Sequence, residues 1–117
     1  MIIKGNEQTE NYLGENCYIT ELLNSPDLSE LSVAVARVLP GEETELHALE
    51  GHEVYYVLQG KGEVFIDGAN RGTLEKGDLA LIKKDLSQKI TNTGTGDLIF
   101  LCICSPRFRT EGYRALE

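Results

Sequence analysis

With 117 residues, 41% of them hydrophobic and 26% charged, the chain has material for one packed core and not for two. Its net charge of −8 lacks the basic footprint that a nucleic-acid partner requires. No apolar run approaches the roughly 20 residues that cross a bilayer as a helix, and the opening MIIKGNEQTE turns polar too early for a secretory signal, so a cytoplasmic protein without membrane partners is the expectation.

Residues 17–23 (CYITELL) alternate in character and read as a strand. Asn24-Ser25-Pro26-Asp27 is turn chemistry, with Pro fixing φ and Ser25 placed to start one helical turn through Ser29. Residues 31–39 (LSVAVARVL) form the clearest strand, aliphatic positions alternating with Ser, Ala and Arg until Pro40-Gly41 breaks the run. Short strands follow at 44–49 and, beyond a Glu50-Gly51 turn, at 54–59 (VYYVLQ), closed by Gly60-Lys61-Gly62. The segment 63–66 ends at Asp67-Gly68, a hairpin signal. Segments 72–75 and 79–82 flank Lys76-Gly77-Asp78, and 87–92 precedes a polar turn at 93–97. Residues 98–104 (LIFLCIC) are apolar on both alternations, as in a strand covered on both faces.

About nine or ten short strands with turn signals between them, no convincing 3.6-residue period and no linker spell an all-β sandwich or barrel with little helix. The tail 106–117 carries Phe108 and Tyr113 and is expected to pack on the barrel or on a neighbour. Its Arg107, Arg109 and Arg114 suit salt bridges or a subunit seam better than a phosphate backbone. Cys17, Cys102 and Cys104 form no CxxC pair and read as small buried hydrophobes in a reducing compartment, with the Cys104 thiol within conceivable reach of the site below.

Both histidines of the chain lie in the stretch 41–60, GEETELHALEGHEVYYVLQG. If His47 points inward, Glu45 and Leu49 share its parity, while Glu53, Tyr55 and Val57 face inward from the next strand and His52 faces out unless the turn bends it back. A buried Glu53 needs a cation or a donor to stay ionised, so a metal or a positive partner is physically reasonable. The alternative is a polar triad, with His47 and Gln88 hydrogen-bonded to each other or to Glu53, lining a pocket for an organic ligand.

The stretch resembles the first motif of the cupin superfamily. Gly41, His47, Glu53 and Gly60 stand at the family's intervals, and Leu49 stands where a second histidine is usual. Gly77 and Asn92 match the second motif, with Lys83, Asp85 and Gln88 in place of its usual Pro, Gly and His. The resemblance implies a double-stranded β-helix, or jelly-roll barrel, in one domain spanning 1–117, with a barrel core at about 30–105. It implies a divalent ion (zinc, manganese, iron or nickel) held by His47, Glu53 and Gln88, with Glu53 and Tyr55 as candidate catalytic groups. A sugar-like or carboxylate ligand, an isomerase, lyase or oxygenase reaction, and a homodimer are further implications. A non-catalytic small-molecule-binding module without metal is the alternative within the same family.

Overall fold

The computed structural model describes residues 1–14 and 16–117. Its strands in chain order are β1 (Glu10–Tyr12), β2 (Tyr18–Leu23), β3 (Ser32–Val38), β4 (His47–Leu49), β5 (His52–Gln59), β6 (Lys61–Ile66), β7 (Ala69–Glu75), β8 (Leu79–Ile82), β9 (Ser87–Asn92), β10 (Leu98–Ser105) and β11 (Tyr113–Ala115). One antiparallel sheet has the order β1-β2-β3-β10-β5-β8, and the other β11-β4-β9-β6-β7. Helix is confined, among the described residues, to two single 3-10 turns, Gly5–Glu7 and Thr110–Gly112. The all-β jelly roll expected from the sequence is what the chain forms.

The helical turn expected from Ser25 to Ser29 is absent. Asp27 N–H donates to Ser25 Oγ at 3.1 Å and Leu28 N–H to the Ser25 carbonyl at 3.0 Å, closing a turn that does not continue into a helix. The Asp67-Gly68 hairpin forms with φ of 55° and 79°, the left-handed pair that a two-residue β-turn of matching twist demands. Gly60 is constrained twice over: φ is 81°, and an added Cβ would lie 2.6 Å from the Asp97 carbonyl oxygen. Gly60→Ala is therefore expected to cost about 1–3 kcal/mol, read as a lower midpoint in urea denaturation.

The register between strands determines where the barrel is full and where it is hollow. Across β3 and β10 the inward pairs run Val38 with Leu98, Ala36 with Phe100, Ala34 with Cys102 and Ser32 with Cys104. Across β10 and β5, Phe100 meets Val57, Cys102 meets Tyr55, and Cys104 meets Glu53. Large side chains thus occupy one end, where Val38, Val57, Val64, Ile82, Ile90, Leu98 and Phe100 are buried in one cluster. Small and polar ones occupy the other, which leaves space. Asn92 closes the packed end: its amide donates to the Val38 and Gly96 carbonyls, both at 2.9 Å, and its oxygen accepts from Gly94 N–H at 2.9 Å.

The tail 106–117 docks on this frame. Phe108 N–H donates to Ser32 Oγ at 2.9 Å, Arg107 to Asn24 Oδ1 at 2.8 Å, and β11 joins the second sheet beside β4. Arg109 pairs with Glu50 at 3.0 Å and Arg114 with Asp85 at 3.4 Å, both exposed contacts that fix orientation more than they add stability.

Candidate functional site

At the hollow end lies a cavity of about 500 Å³. Its walls come from β2, β3, β4, β5 and β10, and Phe108, Thr110 and Tyr113 of the tail border it. Glu45, His47, Leu49, Glu53 and Tyr55 all line it, whereas Tyr56 is on the outside of the same strand as Tyr55.

Glu53 is 6% exposed. Its Oε2 accepts from the Cys104 thiol at 3.5 Å, but its Oε1 is buried with no hydrogen-bond partner among the described residues. Burial pushes the carboxyl up to about 7, opposed only in part by the Cys104 thiol and the other polar side chains around it. The thiols around it are held protonated. Burial, with the Glu53 charge behind it, pushes Cys17 to about 11 and raises Cys102 and Cys104 as well, which makes them inert lining rather than nucleophiles at neutral pH. All three cysteines are unbridged.

Tyr55 donates its hydroxyl to Gln88 Oε1, and burial, with the Glu53 charge adding to it, keeps that hydroxyl protonated. Gln88 sits in register with His47 across β4 and β9, yet it is 1% exposed and does not border the cavity. The residue that the family motif places toward the site is thus fully buried beside it, with its amide oxygen engaged by Tyr55.

His47 is positioned by the C-terminal tail. Its Nδ1 lies 2.8 Å from the Glu45 carbonyl. A carbonyl only accepts, so Nδ1 carries the proton and Nε2 keeps the lone pair. Burial lowers the imidazole's proton affinity and favours this neutral form. The ring stacks on Tyr113, centroids 4.7 Å apart and planes 15° from parallel, and Tyr113 donates its hydroxyl to the Glu45 carboxylate. Tyr113 is a site residue that sequence reasoning left unassigned. Its signal was one of two aromatic side chains, with Phe108, in a largely polar tail. His52 faces outward and is exposed, its Nδ1 accepting from Lys84 N–H at 3.0 Å.

These donors bear directly on the expected metal. His47 and Glu53 offer an imidazole and a carboxylate to the cavity, Leu49 offers nothing, and the Gln88 oxygen already accepts one hydrogen bond from Tyr55. Among the described residues no group of three or more His, Cys, Asp or Glu side chains is arranged to hold a metal ion. His47 and Glu53 are two ionisable donors, one short of the three that such centres use.

No curated protein matches the chain. Among solved structures it is similar to an RmlC-like cupin from Shewanella frigidimarina NCIMB 400, with 22% identity, 92% of this chain and 91% of that one covered, and a TM-score of 0.77. It is also similar to a predicted oxalate decarboxylase from Thermotoga maritima (24% identity, 91% and 99% covered, TM-score 0.82) and to KdgF from Halomonas sp. (20% identity, 95% and 96% covered, TM-score 0.81). At these identities the likeness establishes the fold and leaves the reaction open. The family model described as "Cupin domain" matches residues 34–104, more than half the chain, and with the jelly roll observed here the protein belongs to the cupin family.

Proposed function

We propose that this cupin binds a small organic molecule in the cavity beside Glu53 without a resident metal ion. One observation carries the reading: a cavity of about 500 Å³, within the range of small-molecule sites, is bordered by a carboxyl group whose buried Oε1 has no partner among the described residues. A ligand group would satisfy it. Ala34 lines the cavity, so Ala34→Phe is expected to fill it. In the wild type, benzyl alcohol used as a neutral probe should raise the melting temperature, and in Ala34→Phe that response should vanish while the circular dichroism spectrum stays native. An undiminished response in the variant would reject the site.

Acid–base chemistry is the second reading. A carboxyl held at about 7 sits where a general acid or base works best near neutral pH. Tyr55 is a poor partner for it, because its proton is given to Gln88. A reaction whose pH profile inflects near 7 and disappears in Glu53→Gln would carry this reading.

The protein is also proposed to form a homodimer through the outside of the first sheet. Tyr56 and Leu58 of β5 are 38% and 39% exposed, and Leu79 and Leu81 of β8 are 58% and 53% exposed. Tyr56 pairs with Leu79 and with Leu101 of β10, so these side chains form one continuous apolar strip. On a chain of net charge −8, an uncharged strip is where a second copy docks without like-charge repulsion. Sedimentation should give a dimer at micromolar concentration that Leu79→Lys with Leu81→Lys converts to a folded monomer; a monomeric wild type would contradict it.

A further inference from the structure

The charges around the cavity are all of one sign. Glu21, Glu45 and Glu53 border it, and among the described residues no Lys or Arg does. The ion pairs are elsewhere: Arg37 with Glu10 and Asp97, Lys89 with Glu43, Arg109 with Glu50, and Arg114 with Asp85. Glu21 and Glu45 receive neutral donors, Asn24 Nδ2 at 2.7 Å and the Tyr113 hydroxyl. Glu53 is the deepest of the three, 6% exposed, and its Oε1 has no partner. The rest of the lining is largely apolar, Ile19, Ala34, Ala36, Leu49 and Phe100 among it, with the rings of Phe108 and Tyr113 also on the border.

We propose that the ligand is a small organic cation, a protonated amine on a compact apolar body, whose ammonium pairs with the Glu53 carboxylate. The inference rests on the cavity being a binding site. An ammonium supplies the positive charge that a buried carboxylate bordering the cavity needs. Phe108 and Tyr113 add the electron-rich rings that favour a cation nearby. A carboxylate ligand, of the kind that the family resemblance suggests, would add a negative charge to a cavity already holding three acids and no counter-ion. A polyhydroxylated sugar would leave most of its hydroxyls against aliphatic wall without partners. The acidic chain as a whole also raises the local concentration of cations.

Three probes with one carbon skeleton test this by isothermal titration: benzylamine, benzyl alcohol and benzoate. Benzylamine is expected to bind most tightly, benzyl alcohol more weakly and benzoate not at all. Glu53→Gln should weaken benzylamine by about tenfold or more and change benzyl alcohol little. Benzoate binding as tightly as benzylamine, or benzylamine binding unaffected by Glu53→Gln, overturns the cationic ligand. Benzyl alcohol separates the two levels of the argument. If it binds the wild type but not Ala34→Phe while benzylamine fails, the ligand class falls and the cavity stands; if none of the three binds, both fall.

Discussion

Glu53→Gln is expected to stabilise the protein at pH 8 by about 3 kcal/mol, a rise of roughly 10 °C in melting temperature. The carboxyl titrates at about 7 in the fold against 4.5 for the ordinary group. A folded-state value above the unfolded one means that the fold favours the neutral acid. Stability is therefore fully present below pH 4.5, declines as pH rises from there, and reaches its full cost above about 7, where the buried carboxylate is ionised. Glutamine has no proton to lose and keeps a carbonyl oxygen to accept from Cys104. The gap between the two proteins should thus shrink as the pH is lowered toward 4.5, which melts in a pH series would show. In ligand-free protein, a variant less stable than the wild type at pH 8 would contradict the account, since it would mean that the fold itself stabilises the ionised carboxylate.

Phe100→Ala is expected to cost about 3–5 kcal/mol in urea denaturation. Phe100 is 2% exposed and sits where the packed end of the barrel meets the cavity, its ring 4.7 Å from that of Tyr55 and tilted by 52°. Truncation removes both the buried area and the ring pair. The neighbours cannot collapse to fill the gap, because Ala36 opposite is small and Val57 is fixed by its strand. The new void would merge with the cavity, which Phe100 already borders, so the variant should accept bulkier aromatic probes than the wild type. A loss below about 1 kcal/mol would show that Phe100 does not divide core from cavity.

Much of this was legible in the sequence, because a strand's alternation is a local property. Parity alone assigned Tyr55 and Val57 to the interior, and the structure agrees. The punctuation at Pro40-Gly41, Gly60 and Asp67-Gly68 marked the strand ends because those backbones require the left-handed region or cannot carry a ladder. What was not legible depends on partners distant in sequence. β1 and β11 are three residues each, too short for a period, and exist because β2 and β4 offer them an edge. The cavity arises from register, which sets Ala34 beside Cys102 and Ser32 beside Cys104, and nothing local to those residues announces it. Gln88 illustrates the same limit. Its motif position and its register with His47 both point inward, but its hydrogen-bond partner, Tyr55, lies thirty-three residues earlier in the chain.

The central claim is that His47 and Glu53 border a site for an organic molecule rather than the remains of a working metal centre. Elemental analysis of protein purified without chelator tests it most directly. The account predicts zinc, manganese, iron and nickel far below one per chain, with a melting temperature indifferent to EDTA. One equivalent of any of these ions in the wild type, lost in Glu53→Gln, would contradict it.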